Sequence, residues 1–121
     1  MPRYVVLLHQ TPAGYVRGTH FDLMLEHGAA LWTWALDKLP DGGETVAAER
    51  LPDHRLFYLD YEGEIGGQRG DVRRVDGGEF DVIEDAAARL VVRLKGRLNG
   101  TLTLSSDADA PHRWRISLSP D

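Results

Sequence analysis

The sequence contains no cysteine and opens without a long apolar segment, and both absences restrict the kinds of protein it can encode. Without thiols the chain forms neither disulfides nor thiolate metal sites, so cysteine usage does not identify its redox compartment. The apolar run at residues 5–8 is too short for a signal peptide and far too short to span a bilayer. We therefore expect a soluble, cytoplasmic protein that does not enter a membrane.

The sequence also lacks an excess of positive charge. Its formal net charge is −5, whereas proteins that grip long DNA electrostatically usually present a basic surface. Any contact with nucleic acid should therefore be local, at an end or over a short stretch, and an acidic balance is equally ordinary for a cytoplasmic enzyme. With 121 residues, 42% of them hydrophobic, the chain is expected to form a single domain, residues 1–121, with a core of its own.

The dominant pattern is the two-residue alternation and short apolar runs that are typical of β-strands. We predict strands at residues 3–9, 19–26, 30–36, 45–51, 71–75, 79–83, 90–94, 98–104 and 114–118. Three features between them are also predicted: a break at residues 52–54 before an extended segment 56–61, a turn at Asp76-Gly77-Gly78, and a helical turn at 84–88.

The predicted fold class is mainly β: a single-domain barrel of about eight short antiparallel strands, with at most one or two short helical turns. A barrel is preferred to a sandwich because one strand face carries several ionisable groups, which would need a shared polar interior or mouth.

The sharpest chemical feature is His20-x-Asp22 on the second predicted strand. Residues two apart on a strand leave the same face about 6.6 Å apart, so one ion above the strand can contact both. An imidazole nitrogen with a carboxylate oxygen suits Mn²⁺, Fe²⁺ or Zn²⁺. His9 ends the first strand and would supply a third ligand if that strand is adjacent. The alternative is a solvated sheet face on which Asp22 only pairs with a nearby arginine.

Several ordered motifs resemble the 3′-phosphoesterase domain of bacterial DNA ligase D, which also occurs as a stand-alone protein. The segment His20-Phe21-Asp22-Leu23-Met24-Leu25-Glu26 resembles the family's most characteristic run, His-Tyr-Asp-Phe-Arg-Leu-Glu. The resemblance extends over nearly the whole chain, through the motifs Arg3-Tyr4-Val5-Val6 with His9, Leu31-Trp32-Thr33-Trp34-Ala35 with Lys38, Asp53-His54 with Leu56 and Tyr58, Tyr61-Glu62-Gly63 with Ile65, and Leu94-Lys95-Gly96-Arg97-Leu98-Asn99-Gly100.

This resemblance implies a β-barrel with a Mn²⁺ site formed by His9, His20 and Asp22. His54 and Tyr58 would contact the scissile phosphate, and these two residues with His20 are the candidate catalytic residues. The family removes a 3′-terminal ribonucleotide and then a 3′-phosphate, so the implied substrates are DNA or RNA-tailed DNA 3′ ends. Ligase or Ku-type end-joining proteins are possible partners, and a monomer is expected.

The sequence departs from the family at Met24, where the family has an arginine that would clamp phosphate in a bidentate manner. The loop from His9 to His20 is also longer than in the family. Arg17 in that loop and Arg69 in the glycine-rich segment 66–70 are therefore candidates to supply the missing charge at a phosphate-binding site.

Two other functions stay open from the sequence. A non-haem Fe(II) oxygenase would use the same His-x-Asp and distal His as a facial triad, with His112 and Arg115 completing a co-substrate site. A non-catalytic module that binds metal or DNA ends is favoured by Met24. Separately, the alternating cations Arg93, Lys95 and Arg97 are either a short phosphate track or a solvated strand face.

Overall fold

The computed structural model describes residues 1–120, and nearly all of the chain lies in antiparallel strands. The strands are β1 (Arg3–Gln10), β2 (His20–His27), β3 (Ala30–Leu36), β4 (Val46–Arg55), β5 (Gly63–Glu64), β6 (Asp71–Ala86), β7 (Arg89–Lys95), β8 (Asn99–Asp107) and β9 (Ala110–Pro120). The single helical element in this part of the chain is a 3₁₀ turn, Leu56–Leu59. The described residues include no helix long and apolar enough to cross a membrane.

Eight of the strands form a ring in the order β1-β2-β3-β4-β9-β8-β7-β6, which closes because β6 also pairs with β1. The two-residue β5 adds to β6 at one edge. Strand alternation sends one set of side chains into the ring, where Trp34, Val92, Leu104 and Ile116 are fully buried in the main core. The predicted mainly-β, barrel-like fold is therefore confirmed.

A second, smaller apolar cluster lies outside the ring, on the other face of β1 and β2. It consists of Val5, Leu7, Met24, Leu31, Tyr58, Leu59 and Val72. The 3₁₀ turn supplies two of these side chains and covers this outer face. His9, His20 and Asp22 share this face by strand parity, so our reason for expecting a barrel was wrong: the ionisable face lies beneath the 3₁₀ turn and not inside the ring.

The predicted break at residues 52–54 is wrong, because β4 continues through Pro52, Asp53 and His54. Beyond Glu49, β4 pairs with β3 alone, and that pairing shifts register between the partners of Leu51 and His54. Proline is tolerated at this bulge because β4 has only one hydrogen-bonded neighbour here, so the missing N–H of proline breaks no pairing with a second strand. The segment after β4, expected to be extended, instead forms the 3₁₀ turn.

The predicted turn at Asp76-Gly77-Gly78 is also wrong, since these residues lie inside the continuous strand β6. Gly78 allows a close approach: a Cβ there would come within 2.4 Å of the Lys95 carbonyl oxygen. The predicted helical turn at 84–88 is wrong as well. Residues 84–86 end β6 and pair with β7 across a register shift, and the remaining two residues form the hairpin turn.

Candidate metal centre

The antiparallel pairing of β1 with β2 brings together the three predicted metal ligands. His9 lies directly opposite His20, and Asp22 follows His20 by two residues on the same face. All three side chains are buried, and one potential ligand atom from each lies within 4.8 Å of the others. The structure thus places an imidazole, a second imidazole and a carboxylate around one point.

Backbone carbonyl groups orient both imidazole rings. His9 Nε2 lies 2.7 Å from the Arg69 carbonyl oxygen, and His20 Nδ1 lies 2.7 Å from the Gly18 carbonyl oxygen. A carbonyl only accepts, so each of these nitrogens carries the hydrogen and donates it. In the neutral rings, the lone pairs therefore lie on His9 Nδ1 and His20 Nε2. Metal-binding histidines commonly have their other ring nitrogen fixed in this way.

Both lone-pair nitrogens face the carboxylate of Asp22. His9 Nδ1 is 3.5 Å from Oδ2, and His20 Nε2 is 3.0 Å from Oδ1. Among the described residues, buried Oδ1 has no hydrogen-bond partner. Lone pairs facing a buried carboxylate repel it unless a proton or a cation lies between them. The donor set is therefore suited to a divalent cation such as Mn²⁺, Fe²⁺ or Zn²⁺, and it does not distinguish among them.

Protons substitute for that cation in part. Burial alone would raise the pKa of Asp22, but the hydrogen bonds that His20 and His9 donate when their rings are protonated outweigh it and bring the pKa below its usual value. The hydrogen bond to Asp22 raises the pKa of His9, against the opposing effect of burial. The site therefore favours a negative carboxylate beside positive charge.

A cavity of about 100 Å³ lies against this cluster, and His54 and Tyr58 line it. Their rings stand edge to face, with centroids 5.7 Å apart. His54 Nδ1 donates to the Pro52 carbonyl oxygen at 2.9 Å, which leaves Nε2 as the nitrogen available for chemistry. A phenol hydroxyl and an imidazole thus stand beside the metal-ligand cluster, where both can donate to an oxyanion.

Met24 also lines the cavity, and it is 1% exposed, packed in the outer apolar cluster. Of the two cations expected to replace the family arginine, Arg69 lines this cavity and Arg17 does not. Arg17 is ion-paired with Glu49 and lines a separate cleft with His112. Arg69 Nε donates to the Gly66 carbonyl oxygen at 2.6 Å, which anchors its side chain to its own loop.

Sequence reasoning missed two contributions to this site. The Tyr15 ring contacts His9 edge-on, with centroids 5.9 Å apart, and it lines the cavity from the long loop after β1. The backbone of Arg69 fixes the His9 tautomer, which requires its loop to approach β1 closely. The available signal was Gly70, where φ is +92° and a Cβ would come within 1.9 Å of the Gln10 carbonyl oxygen.

Fold and site together define a small barrel-like β protein with a candidate two-histidine, one-carboxylate metal centre beside a polar cavity. The model of the DNA ligase D 3′-phosphoesterase domain family matches residues 9–106, which include every cavity residue named above. The chain therefore belongs to the DNA ligase D 3′-phosphoesterase domain family. No curated protein matches it significantly. The co-substrate pair suggested for an oxygenase, His112 and Arg115, does not line this cavity.

Proposed function

We propose that this protein is a divalent-metal-dependent phosphoesterase that heals DNA 3′ ends in end-joining repair. It would remove a 3′-terminal ribonucleotide and then a 3′-phosphate, leaving a hydroxyl for ligation. The observation that carries the proposal is the convergence of His9, His20 and Asp22 beside the cavity lined by His54 and Tyr58. Membership of the 3′-phosphoesterase family supports the reaction class and the DNA-end substrate.

His9 Nδ1, His20 Nε2 and Asp22 would hold the metal ion, for which Mn²⁺ is our first choice. When bound, the ion neutralises phosphate oxygens and orients or activates water. Fixing the two ring nitrogens beforehand means that little reorganisation is needed on binding. His20 thus contributes to catalysis as a ligand.

His54 and Tyr58 would bind the scissile phosphate and stabilise the charge that develops during its transfer. His54 Nε2 is free to donate to a phosphate oxygen or to protonate the leaving oxygen, and imidazole is suited to both roles near neutral pH. The Tyr58 hydroxyl is a neutral donor, and fixed donors at a developing oxyanion lower the barrier. Arg69 would supply the cationic contact that Met24 does not offer.

A second candidate is a non-catalytic module of the same fold that binds metal or DNA ends. The observation that favours it is Met24, which is buried in apolar contacts where the family has a phosphate-clamping arginine. In either case we expect a monomer acting in the cytoplasm on DNA or RNA-tailed DNA 3′ ends, alongside ligase or Ku-type proteins.

The test is end processing by the purified protein with Mn²⁺. The substrates are primer–template duplexes whose primer ends in a 3′-phosphate or in a single ribonucleotide. We expect both ends to be converted to a 3′-hydroxyl and His20→Ala to abolish conversion. His27→Ala, which removes an exposed imidazole outside both the cavity and the cleft lined by Arg17, should keep it. Untouched ends with intact metal binding would reject the enzyme and favour the binding module. Iron in the purified protein together with 2-oxoglutarate turnover would favour the oxygenase.

A further inference from the structure

The charges of this acidic protein are unevenly distributed over the ring. On β9, Trp114, Ile116 and Leu118 belong to the main core, so the alternate residues Arg113 and Arg115 point outward. On the neighbouring β8, Leu102 and Leu104 point inward, and the outward side chains are hydroxyls: Thr101, Thr103 and Ser105. No outward position of these two strand segments, 101–105 and 113–117, carries a carboxylate.

The two outward arginines lack acidic partners, unlike Arg89 and Lys95 on the nearby strand β7. Arg89 pairs with Glu84, and Lys95 pairs with Asp81. Within residues 1–120, neither Arg113 nor Arg115 forms an ion pair or a side-chain hydrogen bond, and both are exposed. They stand about 6.8 Å apart along the strand. Two exposed guanidinium groups beside a row of hydroxyls form a local basic surface, which we call the β8–β9 face. The carboxylate nearest to it in the sheet is that of Glu49, which lies opposite Arg113 on β4 and pairs with Arg17.

The β8–β9 face is continuous with the candidate metal centre. Asp22 pairs with Ala35, Ala35 with Glu49, and Glu49 with Arg113, so four adjacent strands carry these residues in one row. At the usual spacing between strands, the row spans about 14 Å from Asp22 to Arg113. A cleft of about 380 Å³ lies along it. Small alanines, among them Ala35 and Ala47, line it together with the cations Arg17 and Arg113 and the carboxylates Asp37 and Glu49.

We propose that the β8–β9 face binds the phosphodiester backbone of the DNA strand whose 3′ end enters the cavity. Guanidinium groups contact phosphate oxygens in a bidentate manner, and serine and threonine hydroxyls donate to the same atoms. Small alanine side chains in the cleft allow a strand to approach the sheet closely. The aromatic side chains of β3 and β9 that belong to the main core point into the ring, so this face contacts the backbone and does not stack on bases.

That the bound DNA strand points its 3′ end toward the cavity rests on the proposed function. The binding surface itself can be tested without catalysis. A 5′-labelled primer–template with a 3′-hydroxyl is titrated with protein in EDTA, and fluorescence anisotropy is recorded from 50 to 200 mM salt. For Arg113→Gln/Arg115→Gln we expect roughly tenfold weaker binding at low salt, and a log–log salt slope reduced in size by about 2. Lys95→Gln/Arg97→Gln, with the same change in net charge, should bind DNA like wild type.

Equal losses of DNA affinity in the two double variants would overturn the proposal, because the change in net charge alone would then explain the weaker binding. Competition by polyglutamate as effective as that by unlabelled DNA of equal charge would also overturn it, in favour of an acidic protein partner. A reduced salt slope in Arg113→Gln/Arg115→Gln supports the face even if wild-type protein hydrolyses no end, in which case only the proposed function fails. If wild-type protein hydrolyses its substrates normally and the salt slope of Arg113→Gln/Arg115→Gln is unchanged, the β8–β9 face is rejected as a DNA-binding surface and the proposed function is retained.

Discussion

Substitution of Asp22 by Asn tests the metal centre through stability, independently of any activity. Asn keeps the shape of the carboxylate but removes its charge, and its amide can donate to the His9 or His20 nitrogen that now faces Oδ1 and Oδ2. Since that change relieves a repulsion between buried acceptors when both rings are neutral, we expect the metal-free variant to melt no lower than wild type at a pH above the raised pKa of His9. Its metal affinity should nevertheless collapse, because a hard anionic ligand has been lost.

The magnitude follows from linkage. A metal ion at 100 times its Kd stabilises the folded state by about 2.7 kcal/mol. For 121 residues, an unfolding entropy of about 2.1 cal/mol/K per residue gives roughly 0.25 kcal/mol/K, so the wild-type Tm should rise by about 11 °C. The assay is thermal unfolding with and without Mn²⁺. The matched control is Asp60→Asn, an exposed carboxylate paired with Arg3, which should keep the full shift.

Two results would refute this reasoning about the metal centre. One is a wild-type Tm that does not respond to millimolar Mn²⁺, Fe²⁺ or Zn²⁺. The other is a metal-induced shift that survives in Asp22→Asn, because the ion would then bind elsewhere. A low metal-free Tm in Asp22→Asn would refute the separate claim that the carboxylate faces unprotonated nitrogens.

Three further predictions concern pH, a buried tyrosine and the phosphate clamp. The pKa of His9 is raised in the metal-free fold, so protonated His9 stabilises the fold. This stabilisation is fully present below the pKa of His9 in the unfolded chain, and it is lost as pH rises through the pKa of the folded protein. The metal-induced Tm shift should instead grow over that same rise, since the ion needs unprotonated His9. Tyr4→Phe removes the 2.7 Å hydrogen bond from the hydroxyl to buried Asp76, and should lower the free energy of unfolding in urea by about 1–3 kcal/mol. Met24→Arg should increase phosphatase activity about tenfold or more by adding a guanidinium clamp, at a stability cost of about 1–3 kcal/mol.

Each of these predictions has its own control. A metal-induced shift independent of pH between 5.5 and 8.5 would exclude His9 as a ligand. Tyr61→Phe, whose hydroxyl donates to a carbonyl at an exposed site, should cost less than Tyr4→Phe, and equal costs would contradict the importance of the buried contact. Met24→Gln adds a polar, hydrogen-bonding group at nearly the size of methionine and without charge, so a gain equal to that of Met24→Arg would rule out the clamp.

The strands that were correctly predicted include those of local hairpins. Hairpins such as β2–β3 and β7–β8 follow from two-residue alternation on both sides of a short turn, and neighbouring strands pair without any knowledge of the rest of the fold. Two of the errors lie where glycine or proline serves tertiary packing. Gly78 permits the close approach of β7. Pro52 lies at a register shift where β4 pairs only with β3, so its missing N–H is tolerated.

At the site, the two-residue alternation of side chains along a strand correctly placed His20 and Asp22 on one face. The family resemblance then added His9 as the third candidate ligand. Alternation fixes which residues share a face of a sheet, but it does not fix which face lies inside a ring. That choice depends on which face buries more apolar surface, here the large cluster around Trp34 and Ile116. The contacts of Tyr15 and the Arg69 carbonyl come from loops, whose paths no periodic pattern specifies.

Met24 stands where the family has a strand arginine, so the phosphate binding that we propose for this cavity needs a cation from another element. A guanidinium on β2 would be held by the sheet, whereas the only arginine lining the cavity, within the described residues, is Arg69 on the glycine-rich loop. That same residue accepts the His9 hydrogen bond through its carbonyl and is anchored to Gly66 through its side chain. A displaced loop would therefore remove both the proposed contact of Arg69 with phosphate and the carbonyl group that fixes the His9 tautomer. Binding of metal and of phosphate should consequently be coupled in this protein, since both stabilise one loop position.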